Sequence, residues 1–405
     1  MRIIGANKTF DVDVNLVGSK SESNRILMIG YYGGFTPRVT NLSESDDTVL
    51  LSQIINEINV KTRFIADCSN AGTVLRFLAT ALAFRDGEWI LTGSDRMLQR
   101  PIGDLVDALR NIGADIEYME QEGFPPLKIH GVGTRRATVD VHVNISRSSQ
   151  FASSLLLALP FVGTRRATSK IHLDGDLSSV PYIDMTIDVM RKFGIDVHHD
   201  GCDIFVKPSE YQDVEYIVES DWTCASYWYE MVAFSENGRA RLRNLHLDSK
   251  QGDAIVAKWF EQFGVKSVQD GNDIIIEKTN SIIQNQLSFD FINNPDLYPT
   301  IAATCFGLGV KGEFTGLRNL VHKESDRVAA MTMELSRVET HGRASLHVFD
   351  SHNDHRIAMA LAPLAMKIGA IEINNADVVS KSYPGFWTEF QKITPNRSSK
   401  HQQCE

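Results

Sequence analysis

The chain has 405 residues, 43% hydrophobic and 23% charged, the ordinary range for folded proteins, which excludes a disordered, collagenous or coiled-coil whole. At about 150 residues per packing unit, that length fits two to three units. The charge sum, 41 Lys and Arg against 51 Asp and Glu, gives −10; it argues against a nucleic-acid binder with a general basic surface, while leaving room for cations gathered in one cleft for anionic small molecules.

The amino terminus, MRIIGANKTFDVDV, lacks the basic start and apolar stretch of a signal peptide. No run approaches about 18 apolar residues, so a cytoplasmic protein off the membrane is expected. The strand-like DVDVNLV leads into Gly18-Ser19-Lys20-Ser21-Glu22-Ser23-Asn24-Arg25 and a helical ILMIGYYGG. Small residues there let backbone amides approach a ligand, the helix start favours an anion, and Lys20 and Arg25 add full charges. The spacing is not that of a nucleotide P-loop. The plain alternative is a helix capped by Ser21 or Ser23.

Thr48 to Ala66 looks like a weaker copy of the helix, Gly, strand, turn, strand unit that recurs later in the chain, with Asn59, which tolerates the left-handed conformation too, in the place of the glycine. Asn70-Ala71-Gly72-Thr73-Val74-Leu75-Arg76 opens an Ala-rich helical run, and Arg100 in LQRPIGDLVDAL stands ahead of another helix. Leu105 to Met119 is amphipathic and runs through Gly113 into β-rich sequence. Ser146-Arg147-Ser148-Ser149-Gln150-Phe151 opens a third helix of the same chemistry. Each such start alone is most simply a cap, and Arg100 alone a solvated charge; three in one chain favour a polyanionic ligand.

Met185 to Lys207 and Ala254 to Lys278 repeat the order helix, Gly, strand, turn, strand, with Gly194 and Gly264 where Gly113 stands in the earlier copy. Glycine at the helix C′ position takes the left-handed conformation most easily. Copies spaced by roughly 55 to 80 residues are too long for a solenoid and indicate a repeated α/β fold. Asp296 precedes an apolar helical run, where its plain role is an N-cap. Lys323-Glu324-Ser325-Asp326-Arg327 opens a helix-like segment, and on one helix Lys323 and Arg327 would share a face and call for an anion between them; solvated charges neutralised by Glu324 and Asp326 are the alternative. Asn353-Asp354-His355-Arg356 puts another cation at a helix start, with Asp354 as first-turn acid and His355 an ordinary boundary residue in the plain reading. Lys381 alone is unremarkable. Residues 395–405 read as a polar tail. Cys68, Cys202, Cys224, Cys305 and Cys404 show no disulfide or zinc spacing.

Taken in order, GSKSESNR, NAGTVLR, RPIGDLVDAL, GFPPLKIHG, SSQF, GDLSSVPYID, the Asp of NNPDLYPTIAA, KESDR, NDHRIAM and SKSYP resemble the 5-enolpyruvylshikimate-3-phosphate synthase family of enolpyruvyl transferases. The resemblance spans about residues 18 to 385 and is specific as an ordered set. It implies an α/β fold of two similar globular domains, each of three βαβαββ-like repeats of the inside-out barrel type, with the active site in the interdomain cleft. Residues 1–17 plus 220–405 are expected to form one domain and residues 18–219 the other. It implies transfer of the carboxyvinyl group of phosphoenolpyruvate to the 5-hydroxyl of shikimate 3-phosphate, with release of phosphate, by a cytoplasmic monomer that needs no metal or other cofactor and binds no nucleic acid.

By the same resemblance, shikimate 3-phosphate is expected on Lys20, Ser21, Arg25, Ser148, Ser149, Gln150, Ser179, Tyr182, Asp296, Asn319 and Lys323. Phosphoenolpyruvate is expected on Lys20, Asn70, Gly72, Arg100, Gln150, Arg327, Arg356 and Lys381. Asp296 is the expected base at the 5-hydroxyl, with Glu324 and Lys20 handling the methylene proton. Val17, Phe77 and Val180 depart from the family pattern, and the bulk of Phe77 is expected to narrow the cleft beside NAGT. Two rival readings are enolpyruvyl transfer to UDP-N-acetylglucosamine, whose enzymes carry a loop cysteine that this chain lacks near Arg100, and a non-catalytic binder of a phosphorylated metabolite, which would need the cations but not Asp296 and Glu324.

Overall fold

The computed structural model describes residues 1–3, 5–133, 138–163, 167–341 and 346–394; the polar tail and Cys404 lie outside them. Two separate hydrophobic cores organise these residues. One runs from Ile26 to Val218, and the other joins Ile3 to Leu16 with Trp222 to Ile393. The chain therefore passes between the two bodies twice, and the passages lie side by side: the Ser19 amide donates to the Glu219 carbonyl at 2.8 Å and the Asp221 amide to that of Val17 at 2.9 Å. Gly18 is needed at this crossing, because a Cβ there would lie 1.9 Å from the Asn41 carbonyl oxygen.

Three four-stranded sheets share one construction. In the first, Arg63–Asp67 pairs parallel with Gly87–Thr92, which pairs antiparallel with Leu127–Gly131, itself in a hairpin with Asp115–Tyr118. Asp140–Asn144, Ser169–Asp174, Asp203–Val206 and Val197–Asp200 repeat that pattern. So do Thr9–Val14, Asn237–Leu242, Asp273–Lys278 and Val265–Asp270, although the first strand of this set comes from the amino terminus. In each sheet an apolar helix joins the parallel pair: Gly72–Ala83, Gln150–Val162 and Trp222–Phe234 respectively precede or bridge the second strand. Two-sided burial of a parallel crossover explains why these helices are apolar almost all round. The other strand sets are smaller: Gln286–Asp290 with Lys311–Thr315, Arg38–Thr40 with Glu215–Ile217, and Arg2–Ile3, Ile371–Asn374 and His347–Asp350.

Gly113, Gly194 and Gly264 all have positive φ, at 95°, 88° and 74°. Gly113 and Gly194 close their helices at C′, whereas the helix Val256–Glu261 stops earlier and leaves Gly264 in the turn beyond it. Asn59 departs from the expectation. The helix Asp46–Val60 runs past it, and Lys61 leaves in extended conformation at φ −105°, so no left-handed residue is required. The next element is the single strand Arg63–Asp67, which enters a neighbouring parallel pair instead of a hairpin.

Beside the crossing, the carboxyl of Glu22 accepts the Tyr216 hydroxyl and, at 3.1 Å, the Glu219 amide. Burial pushes this carboxyl up to about 7. The unfolded chain releases that proton nearer 4.5, so the fold loses stability as pH rises between those values, by up to about 3 kcal/mol above the folded value. Glu22→Gln is therefore expected to raise the urea midpoint at pH 8 and leave it nearly unchanged at pH 5. Equal shifts at both pH values would refute the assignment.

Candidate active site

Helix starts from both bodies face one another. Lys20 begins the helix Lys20–Gly33, whose cap is Ser19, accepting from the Glu22 amide at 3.4 Å; Ser21 and Ser23 lie inside the helix and cap nothing. The helix Gly72–Ala83 has Ala71 at its cap and Gln150–Val162 has Ser149, neither with a side-chain cap bond; the Gln150 amide instead donates to the Ser148 hydroxyl at 3.2 Å, while the first amides of Gly72–Ala83 are not spent on a capping side chain. A Cβ on Gly72 would sit 2.7 Å from guanidinium nitrogens of both Arg100 and Arg76; glycine is what lets the two cations approach. Ser179, left-handed at φ 56°, precedes the helix Val180–Lys192.

From the other body come Asp296 in the 3-10 turn Pro295–Leu297, Arg327 at the head of the helix Arg327–His341, and Arg356 in the helix His355–Leu361, which is capped by Asp354. Asp296 is thus no N-cap. Its carboxylate receives Lys323 Nζ at 3.2 Å, Arg327 Nη1 at 2.7 Å and Arg356 Nη2 at 2.8 Å, and the Tyr182 hydroxyl at 3.4 Å. Arg327 also reaches Asp354 at 2.8 Å and Glu324 at 2.9 Å. Glu324 lies 4.0 Å from Arg100 and 3.8 Å from Lys381.

One cavity of about 80 Å³ is lined by Lys20, Ser21, Gly72, Arg100, Ser148, Ser149, Gln150, Ser179, Tyr182, Asp296, Asn319, Lys323, Glu324, Arg327 and Arg356, together with Asp47, Thr73, Arg147 and His355. That volume holds only a few waters. The walls touch across the bodies: Arg96 donates to the Lys323 carbonyl at 2.8 Å, Asn319 to the Ser178 hydroxyl at 2.8 Å, and Lys381 to the Asn70 carbonyl at 2.5 Å. The cleft is closed, and admission of any ligand larger than a few waters requires it to open.

Burial alone would raise both central carboxyls, but Arg356, Lys323 and Arg327 hold Asp296 well below the ordinary range, and Arg327, Arg100 and Lys381 do the same to Glu324. Burial lowers Lys323, with Arg327 and Arg356 adding to the shift against the pull of Asp296. Burial together with Lys20 and Arg356 keeps His355 neutral. Arg100 Nε and both ring nitrogens of His355 are buried without a hydrogen-bond partner among the described residues. Donor capacity is therefore left for an anion.

Several expectations change. Lys323 and Arg327 do not share a helix, since Lys323 follows the 3-10 turn Arg318–His322 in extended conformation; the anion between them is Asp296. Arg100 is 6% exposed and no solvated charge. Arg25 lies beneath the cleft, its guanidinium spent on the Thr186 and Ser153 hydroxyls and the Ser21 and Tyr182 carbonyls. Phe77, 1% exposed, packs in the core under Arg25 at 5.7 Å and does not narrow the cleft. Asn70 and Lys381 meet at the edge of the cavity. Missed by the sequence reading were Asp47, which pairs with Lys20 at 2.9 Å and Lys381 at 3.4 Å, and Arg147, whose side chain is 56% exposed at the rim, 3.7 Å from Asp104. Arg147 stands inside the SRSSQF motif, and its charge is the available signal; Asp47 lies outside every motif singled out in the sequence and offers none.

Among the described residues no group of three or more His, Cys, Asp or Glu is placed to hold a metal ion, and no helix is long and apolar enough to cross a membrane. Cys68, Cys202, Cys224 and Cys305 are free.

The family model described as EPSP synthase (3-phosphoshikimate 1-carboxyvinyltransferase) matches residues 38–390. Curated relatives named 3-phosphoshikimate 1-carboxyvinyltransferase include that of Bacteroides fragilis strain YCH46, 35% identical over 96% of this chain and 97% of the relative. That of Vibrio cholerae serotype O1 strain M66-2 is 35% identical over 94% and 96%. Among solved structures, EPSP synthase from Acinetobacter baumannii superposes with a TM-score of 0.73 at 21% identity, covering 97% of this chain and 98% of that one; this likeness concerns the fold.

Proposed function

The chain belongs to the EPSP synthase family, and from that premise we propose that its cleft performs the family's transfer with the residues gathered there. It moves the carboxyvinyl group of phosphoenolpyruvate to the 5-hydroxyl of shikimate 3-phosphate and releases phosphate, in the pathway to chorismate and aromatic amino acids. Lys20, Arg100 and Lys381, with Gly72, Asn70 and Gln150, hold the phosphate end of phosphoenolpyruvate, while Arg327 and Arg356 hold its carboxylate. Ser148, Ser149, Gln150, Ser179, Asn319 and Lys323 bind shikimate 3-phosphate, with Ser21, Tyr182 and Asp296 on its ring. Arg25 supports this wall from below.

Asp296 takes the 5-hydroxyl proton as the oxygen attacks C2 of phosphoenolpyruvate. The methylene carbon receives a proton from Lys20 or through Glu324, giving a methyl group. Collapse of the tetrahedral adduct returns one methyl proton and expels phosphate. Asp296 is a poor base while three cations hold it. When the carboxylate of phosphoenolpyruvate occupies Arg327 and Arg356, those cations are shared, and the basicity of Asp296 rises when the second substrate is in place. His355, neutral and unpartnered, orients the phosphate.

The observation that carries this reading is the meeting of Asp296 and Glu324 with cations from both bodies in one buried cleft. The test is phosphate release by purified protein with both substrates present and each omitted in turn. Release that needs both, with an enolpyruvyl product by mass spectrometry, supports it. Release with UDP-N-acetylglucosamine instead, or binding without turnover, overturns it. The two domains are read as residues 1–17 plus 220–405 and 18–219, supported by the two cores. A monomer in the cytoplasm belongs to the same reading and rests on the family alone.

Arg147 extends the set. Beside Ser148 and Ser149 it faces the phosphate of shikimate 3-phosphate, so Arg147→Ala is expected to raise KM for that substrate about tenfold, the value of one charge-assisted contact. KM for phosphoenolpyruvate and kcat stay within about twofold. Equal effects on both KM values would refute the assignment.

A further inference from the structure

We propose that Asp47 is a positioning residue that ties Lys20 to Lys381 across the two bodies, so that closure of the cleft delivers both ammonium groups to one anion. The proposal rests on the functional reading for its consequence in turnover, but its geometry stands independently. Asp47 is the second residue of the helix Asp46–Val60 and is 4% exposed. It makes no cap bond, as that helix has none from Ser45. Its Oδ2 accepts Lys20 Nζ at 2.9 Å, and its Oδ1 lies 3.4 Å from Lys381 Nζ. Lys381 ends the 3-10 turn Ala376–Lys381 of the opposite body. Next to it, the Ser380 hydroxyl donates to Asp46, so two consecutive acids clasp two consecutive residues across the cleft edge.

Two buried ammonium groups converging on one point repel, and they pair in that place only if a carboxylate lies between them. One carboxylate shared by two lysines leaves each ammonium with donors to spare. Lys20 is also faced by Arg356 and His355 from the helix His355–Leu361 and by Glu324, and its amide points at the Asp221 carboxylate at 3.4 Å. Lys381 is faced by Glu324 at 3.8 Å and by the Asn70 carbonyl. Against burial and Arg356, Asp47 is the main group that keeps Lys20 charged.

The test uses Asp47→Asn and Asp47→Glu, with Asp46→Asn as a control that touches only the Ser380 bond. Thermal melts establish that each variant is folded. In Asp47→Asn, kcat falls about a hundredfold and the alkaline limb of kcat/KM for phosphoenolpyruvate moves to lower pH by about a unit. Asp47→Glu, which restores the charge, recovers at least a tenth of the activity. A second readout needs no turnover: Lys20 in the free protein, followed by peptide mapping after amine acylation, becomes reactive at lower pH in Asp47→Asn than in wild type. Wild-type pH dependence of Lys20 acylation in Asp47→Asn, or kcat within threefold of wild type, overturns the proposal. An inactive wild type whose Lys20 still shifts in Asp47→Asn retains the tie and overturns the functional reading alone. If Asp47→Asn does not fold, Asp47→Ser decides by the same two readouts: Lys20 acylation at lower pH together with a fall in kcat supports the tie, and wild-type acylation or kcat within threefold of wild type overturns it.

Discussion

Asp296→Asn is expected to lower kcat by about a thousandfold while leaving KM for phosphoenolpyruvate unchanged or lower. The first effect follows from removing the group that takes the hydroxyl proton, a contribution of about 10² to 10⁴ for a placed general base. The second follows from the ion pairs: in the closed cleft the Asp296 carboxylate holds Arg327 at 2.7 Å and Arg356 at 2.8 Å, the same two cations that the substrate carboxylate needs. An amide competes less well for guanidinium groups than a carboxylate does. Substrate then meets less internal competition even though chemistry is lost. Steady-state kinetics with each substrate varied separates the two. A variant that keeps kcat within tenfold of wild type would remove Asp296 from the role of base, and a large rise in KM for phosphoenolpyruvate would refute the competition.

Much of this cleft was legible because its chemistry is local in sequence. Lys20 in GSKSESNR, Gly72 in NAGT and Gln150 in SSQF stand at helix starts, where a short motif reports both a backbone geometry and a charge. Repeat glycines were legible for the same reason, since a positive φ at Gly113 or Gly194 is decided by neighbouring residues. Asp47 was not, because its partner Lys381 reaches it only after the chain has crossed between bodies and returned. Asn59 was misread because a residue that tolerates the left-handed conformation does not have to adopt it. The spacing of Lys323 and Arg327 brings them together only if the segment is one helix; the tertiary structure instead turns the chain at Lys323 and lets both cations converge on a carboxylate from another segment. Arg25 shows the limit from the other side: its motif was recognisable, but only packing reveals four internal acceptors already engaged.

Arg327→Ala is expected to be the most damaging single change, in stability as well as turnover. The guanidinium is 1% exposed and divides its nitrogens among three carboxylates: Nε to Asp354, Nη1 to Asp296 and Nη2 to Glu324. Removing it strands buried negative charge, which costs about 3 to 5 kcal/mol where one partner of a buried pair is deleted. The loss is moderated at Asp296, where Lys323 and Arg356 remain, and is greatest at Asp354, which is fully buried and also caps the helix His355–Leu361. Arg327→Lys separates charge from shape. An ammonium keeps the positive charge but has no planar fork to reach three acceptors in different directions, so it should recover part of the stability and little of the turnover. Urea midpoints at pH 7, with kcat/KM for phosphoenolpyruvate on the same preparations, measure both. An alanine variant as stable as wild type would mean that the three carboxylates take up protons or water without cost. A lysine variant with full activity would mean that charge alone, and not the fork, is what this position supplies.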